Sequence, residues 1–521
     1  MNHWHRAIWW VTLLSLLILA LTAIFVSVPG YTDADYYYSI GLRLARGEGL
    51  TQPFLWNYLA EPAGLPQPAH LYWMPLTSLV AGLPMLLFGE GFRLAQAAFV
   101  LLAALLPFAA FAVARRLDAS DGQAITAALL AVFPGFFLPF FVTTDSFALF
   151  ALLGSAALLM LVKAAKDPGL LSALIAGVLI GLCHLTRADG LLLLLPAGWA
   201  IWESKSQRFG KGLALLAGYL LLIGPWMIRL AAVSGSPFPP GASKALWLRG
   251  YDEFFSYPAD FLTPSYLLDS GWTSLLRQRL NALGSNTLSF LAVNNLVFLL
   301  PLVFVAGWHK RRRLLLQLGV IYWFSLLVAM SFLFPFPGAR GGYFHSSAAL
   351  MPLIWALAPI GLERAVSWAA GKRGWEPATA ASRFSWGMIA VAAATTGFLF
   401  WQRLASPVGA WGRSYREYQQ VGLSLRSEDD DDVGLVAVNN PPGFWLATGL
   451  SSVVIPNGDA EDLLHVASEF GVKWVILEAN HPVQLDPLYH QPKDFEALQY
   501  VLTLTIEAGS PIHFFEVASD P

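Results

Sequence analysis

The residues best placed for chemistry stand in Thr32-Asp33-Ala34-Asp35-Tyr36-Tyr37-Tyr38, directly after the first long apolar run of the chain. The stretch continues as an amphipathic helix pattern through Tyr37, Ile40 and Leu44. A carboxylate where a chain leaves a bilayer has three uses. It takes the proton from an attacking hydroxyl, it ligates a divalent cation, or it caps a helix and complements the positive end of its dipole. Thr32 or Asp33 as the N-cap, with Asp35 in the first turn, satisfies the last use. A capping carboxylate is also a well-fixed one, so the uses are compatible, and spacing leaves open whether Asp33 or Asp35 is the base.

Asp145 is a second candidate acid from another loop, and Asp35 with Asp145 is a candidate ligand pair for Mg2+ or Mn2+. Arg187, Arg229 and Arg340, with Tyr343 and His345, sit near the ends of apolar runs. Arginine's planar fork binds phosphate oxygens at headgroup level, so these five are candidates for holding a lipid phosphate. His70, Tyr37 and Trp73 are candidate substrate contacts. Each has a plainer reading: Arg187 and Arg229 snorkel to the headgroups, Asp145 caps the span after it, and His70 anchors at the interface with Tyr72 and Trp73.

The elements that must position these residues are membrane spans. Of 521 residues, 56% are hydrophobic and 13% charged, against about a quarter charged in an ordinary soluble protein. This is the composition of a polytopic α-helical membrane protein, and with a net charge of -2 no basic domain points to nucleic acid. The single cysteine, Cys183, excludes an intramolecular disulfide. Apolar length and the placement of Lys and Arg predict about eleven transmembrane helices in residues 1–401, with a cytoplasmic N-terminus and the cluster His309 to Arg313 also inside. The first outer loop covers 29–74 and a long outer loop 234–285, with one span at Asn286 to Trp308 and outer residues at Gly338 to His345. Pro75 to Phe88 is too short to span and is read as re-entrant or interfacial. Residues 402–521 alternate strand-like runs (Val433 to Val438, Ser452 to Ile455, Lys473 to Leu477, His513 to Val517) with a helix over Ala460 to Phe470, a small C-terminal α/β extracytoplasmic domain. Glu428 to Asp432 reads as a solvated hinge.

The order Asp33-x-Asp35-Tyr36-Tyr37-Tyr38, Arg43-x-Ala45-x-Gly47-x-Gly49, Trp73-x-Pro75-Leu76, Thr144-Asp145, Leu185-Thr186-Arg187-x-Asp189-Gly190, Pro225-Trp226-x-x-Arg229 and Arg340-x-x-Tyr343 resembles the GT-C membrane glycosyltransferases. That superfamily includes protein O-mannosyltransferases, aminoarabinose transferases and the catalytic subunit of oligosaccharyltransferase. The resemblance implies a GT-C-like fold and an inverting glycosyltransferase, in which a first-loop Asp is the base and the donor is a sugar on a polyprenyl phosphate. It leaves the acceptor as protein, lipid or glycan, and the few charges and short loops suggest a bacterial inner membrane. The displaced second acid, Asp35, departs from the Asp-Glu pair of the O-mannosyltransferases, and the tail has no Trp-Trp-Asp acceptor motif. The alternative is a transporter or lipid-linked-sugar flippase, which predicts ionisable residues inside spans or matching broken helices in two halves. The sequence shows neither clearly.

Overall fold

The computed structural model describes residues 3–406, 411–428, 433–493, 495, 498–506 and 509–518. Among these, seven helices are long and apolar enough to cross a membrane: Arg6–Phe25, Phe92–Arg116, Ser146–Lys166, Arg208–Ser234, Leu314–Leu333, Pro335–Arg373 and Pro377–Ala405. The pair Asp121–Val132 and Gly135–Val142, bent by 47° where Pro134 follows the first helix, is apolar enough to cross only if its two halves count as one span. Leu171–Thr186 and Ala188–Trp202 are shorter apolar helices. The chain is an integral membrane protein.

Three elements carry the site. Helix α1 (His3–Phe25) leads through a short extended segment into α2 (Thr32–Ala45), which packs on α3 (Leu76–Phe88). The α3 segment is only 13 residues long, about 20 Å of helix, which is too short to span, in keeping with its sequence. The contact between α2 and α3 depends on two glycines. A Cβ on Gly41 would lie 2.9 Å from both Gly82 N and Ser78 O, and one on Gly82 would lie 2.8 Å from Gly41 O. At such contacts backbone, not a flexible side chain, stands in the way.

Ser146–Lys166 is buried on nearly every face, from Phe147 through Ala151 to Leu161 and Val162, as befits a helix at the centre of a bundle. It starts beside α2 and runs about 31 Å to Lys163 and Lys166 at the far end. Arg115, Asp118, Asp121 and Arg313 pair with one another away from α2.

One expectation from the sequence is corrected. The span read over Asn286 to Trp308 is broken: Trp272–Ser289 runs into a wide turn at Phe290–Asn294, and a new helix starts at Leu300. The helix stops where Leu296 and Val297 take positive φ, and just before it Asn294 Nδ2 donates to the Ser347 hydroxyl and Asn295 Nδ2 to the Phe290 carbonyl. The outer residues Gly338 to His345 continue into the helix Met351–Arg373 through a kink at Gly341.

The C-terminal sheet domain contains the four expected strands and the expected helix, Ala460–Phe470. Its six strands run in the order β2 (Phe54–Leu55), β5 (Ser452–Val454), β4 (Leu435–Val438), β6 (Val472–Leu477), β8 (Ile512–Val517) and β7 (Leu498–Leu504). The edge strand β2 comes from the first loop, paired in parallel with Phe54 opposite Ser452 and Leu55 opposite Val453. The loop after α2 is therefore part of the C-terminal sheet. Asp429 to Asp432 of the acidic hinge lie outside the described residues.

Because Gly41 meets backbone on α3, Gly41→Ala should destabilise the protein by about 1–3 kcal/mol. Thermal unfolding of the detergent-solubilised protein checks this, and an unchanged midpoint would contradict the packing described.

Candidate active site

Asp33, Asp145 and His345 come from three distant segments and converge at the start of α2. Their ligand atoms all lie within 4.8 Å of one another. His345 Nε2 is 3.0 Å from Asp145 Oδ2 and 3.5 Å from Asp33 Oδ2. Asp145 is fully buried, whereas the Asp33 side chain is 27% exposed, so Asp33 is the member a second molecule can reach.

Each is fixed locally. Asp145 is the N-cap of Ser146–Lys166, and its Oδ1 accepts from the Ser146 N–H and hydroxyl. Its Oδ2 accepts the Tyr31 hydroxyl at 2.5 Å. Burial alone would raise the Asp145 carboxyl, but the His345 ring, the Tyr31 hydroxyl and the Ser146 N–H together hold it below the ordinary value. Burial pushes the Asp33 carboxyl the other way, and Asp145 adds to the rise while His345 and Arg187 oppose it. His345 stacks on Phe147 with ring centroids 4.1 Å apart.

The ring of His345 decides what the cluster can hold. Its Nδ1 lies 2.9 Å from the Gly341 carbonyl, which can only accept, so Nδ1 carries a proton. Nε2 is left facing two carboxylates, and a bare lone pair there would be repelled. A cation belongs between them, either a proton on Nε2 or a metal ion. Imidazole orientation by a carbonyl on the opposite nitrogen is the usual support for a metal-ligating histidine. Two carboxylates and one imidazole suit a divalent cation such as Mn2+.

Arg187 stands beside this group. Its Nε donates to Asp189 Oδ1 at 3.1 Å and to the Ser346 hydroxyl at 3.0 Å, and Ser346 in turn donates to Asp189. This ties Arg187 to the helix that carries His345. Among the described residues the two terminal nitrogens of Arg187 have no hydrogen bond. Tyr37 is buried and is an electrostatic neighbour of Asp145, Arg187 and Asp33.

The other candidates lie elsewhere. Asp35 is not in the cluster: Oδ1 accepts the Gly30 N–H at 3.3 Å and Oδ2 accepts Asn440 Nδ2 at 3.1 Å. Burial pushes Asp35 up to about 7, with Asn440 and Gly30 pulling it part of the way back. The N-cap of α2 is Tyr31, not Thr32 or Asp33, and it makes no side-chain cap bond. Arg229 donates to the carbonyls of Ala69 and Leu50 and lies over the Trp226 ring. Arg340 is exposed and lies over Tyr251 at 4.5 Å. Tyr343 is fully buried, with Trp323 beside its hydroxyl.

His70 is also fully buried, with its N–H donating to the Tyr36 hydroxyl and Nδ1 to the Trp73 carbonyl. Burial, with Arg229 adding to it, lowers its ring to about 3 and keeps it neutral, so it packs the loop rather than anchoring an interface. Trp73 is half-buried and stacks on Trp56 at 3.9 Å. Sequence reasoning missed the role of Tyr31, which carries no motif signal of its own. Asn440 carries no local signal beyond the Pro441-Pro442 dipeptide after it.

Comparison with known proteins agrees with this architecture. The family described as dolichyl-phosphate-mannose-protein mannosyltransferase matches residues 68–228, under a third of the chain. No curated protein is matched by the sequence. The oligosaccharyltransferase of Archaeoglobus fulgidus, in its apo form, superposes with a TM-score of 0.53 at 14% identity, over 90% of this chain and 69% of that one. ArnT of Cupriavidus metallidurans bound to undecaprenyl phosphate gives 0.51 at 13% identity, over 97% of this chain and 98% of the other. The same enzyme in its apo state gives 0.54 at 13% identity, over 97% of each chain. The chain has the GT-C fold of membrane glycosyltransferases, as its motifs implied.

If the cluster holds a cation, Asp145→Asn should weaken Mn2+ binding by about 10-fold or more. Electron paramagnetic resonance titration of the purified protein measures this directly. Equal affinity in wild type and variant would rule out a metal at this position.

Proposed function

We propose that the protein is an inverting glycosyltransferase that moves a sugar from a polyprenyl-phosphate donor to an extracytoplasmic acceptor, with Asp33 as base. The convergence of Asp33, Asp145 and His345 beside Arg187 carries the reading. It gathers a reachable carboxylate, a buried acid that holds its partner ring, and a cation with free donors at one end of the bundle. The undecaprenyl phosphate bound to the ArnT of similar fold, and the mannosyltransferase family that matches residues 68–228, support the donor class.

In this mechanism the acceptor hydroxyl gives its proton to Asp33 as its oxygen bonds to the anomeric carbon. The bond from that carbon to the phosphate oxygen breaks in the same step, and the electron pair leaves with the lipid phosphate. Arg187 stabilises the charge the phosphate gains, from a site where burial makes the interaction stronger than in water. His345 and Asp145 fix Asp33 in place. A divalent ion bound at the three ligands would add positive charge beside the leaving phosphate.

Asp35 is the clamp and not the base, since both of its oxygens are already engaged and it is 6% exposed. The basic residues Arg115, Arg116 and His309 to Arg313 support a reading in which the cluster and the C-terminal sheet are extracytoplasmic and the N-terminus is cytoplasmic.

Sugar transfer in proteoliposomes supplied with a panel of polyprenyl-phosphate sugars and acceptors tests the reading. Asp33→Asn should lose about 10²–10⁴-fold in kcat, and Asp35→Asn only about 10-fold. Equal losses would make Asp35 a second catalytic group. Movement of the intact lipid-linked sugar across the bilayer with no transfer would favour the flippase alternative.

A further inference from the structure

The cluster fixes one side of the first turn of α2, and a separate set of contacts fixes the other. Residues two apart on a helix point about 200° apart. Asp33 therefore faces His345 while Asp35 faces away, toward the C-terminal sheet domain. There Asp35 meets Asn440, which is 405 residues further along the chain.

Asn440 is placed there by its own neighbours. It is the N-cap of the helix Pro441–Thr448, a position where an Asn side chain ordinarily accepts backbone N–H groups of the first turn. Pro441 and Pro442 have no N–H to offer, and Asn440 makes no cap bond. Its amide turns to Asp35 instead, and its Oδ1 is left buried with no partner among the described residues. The opposite amide orientation would set two oxygen acceptors face to face.

The contact continues into the sheet domain. The Asn440 backbone N–H donates to the Tyr418 hydroxyl at 3.1 Å, and that hydroxyl donates to Glu478 Oε1 at 2.7 Å. Tyr418 is 1% exposed. Gly443 gives the close approach its room, since a Cβ there would lie 2.8 Å from Asp35 Oδ2. Around this point the first loop is fastened to the same domain by β2, by the Tyr58 hydroxyl donating to the Val454 carbonyl, and by Trp411 Nε1 donating to the Val28 carbonyl.

We propose that Asn440 is a positioning residue for Asp33: held by Tyr418 and Glu478, it grips Asp35 and so sets the first turn of α2 from the C-terminal sheet domain. This rests on the assignment of Asp33 as base. The sheet domain is then part of the catalytic machinery, and loosening it at the Asn440–Asp35 contact acts on turnover.

The test is a reciprocal exchange. Asn440→Asp keeps the shape and loses the donor, so it should lower kcat by about 10–100-fold, with the donor KM within about 2-fold of wild type. Tyr418→Phe should show a smaller loss of the same kind. The double variant Asp35→Asn with Asn440→Asp restores one donor and one acceptor with their places exchanged, and its kcat should return to within about 3-fold of wild type. A role in packing alone would tolerate Asn440→Asp, so wild-type kcat in that variant overturns the proposal. A double variant no better than Asn440→Asp overturns it as well.

Hydrogen exchange of the backbone amides in residues 31–45 gives a readout that does not depend on activity. Asn440→Asp should speed exchange there and the double variant should slow it again, and unchanged exchange contradicts the grip. A wild type that transfers no sugar yet shows this exchange pattern would refute the transferase reading and leave the structural link standing.

Discussion

The site depends on one electrostatic constraint. Two carboxylates, Asp33 and Asp145, are brought together at the buried end of a membrane bundle, where neither can be ionised without nearby positive charge. His345 lies between them and Arg187 beside them, and both are secured by bonds that leave their working atoms turned inward. The Gly341 carbonyl fixes the imidazole, while Asp189 and Ser346 fix the guanidinium. The kinked helix entry at Gly341 matters for the same reason, since a regular loop would not hold His345 on the axis of the cluster.

Positive and negative groups alone would not hold α2 in register with Ser146–Lys166. The first turn of α2 is gripped from two directions, by the cluster through Asp33 and by the sheet domain through Asp35. Behind it, α3 is drawn close by Gly41 and Gly82. The strand contributed by the first loop to the edge of the C-terminal sheet makes the two ends of the chain one structural unit. A carboxylate that must meet an acceptor hydroxyl at bonding distance needs this kind of support, because small displacements of a reacting group cost large factors in rate.

Much of this was legible in the sequence where local signals decide. The helix Ala460–Phe470 is legible to its last residue, and the structure shows why its ends are sharp: Asp459 and Asp462 form a capping box at its start and Gly471 stops it in the left-handed region. The shortness of Pro75 to Phe88 was enough to keep it from being read as a span. The acids at 33, 35 and 145 and the arginine at 187 stood out because charge is scarce in such a chain. What escaped reading depends on contacts distant in sequence. The partition of Asp33 and Asp35 onto opposite sides of one helical turn is set by His345 and Asn440, 312 and 405 residues away respectively. The broken span after Asn295 lies where Leu296 and Val297 take positive φ, which no local pattern announces, and the β2 edge strand is two residues long, too short for any periodicity.

The most direct measurement is a structure of the protein in a lipid nanodisc with undecaprenyl phosphate and Mn2+. The account predicts the lipid phosphate within hydrogen-bonding reach of the terminal nitrogens of Arg187, beside Asp33, Asp145 and His345. A phosphate seated elsewhere, with Arg187 bonded only to Asp189 and Ser346, would contradict it.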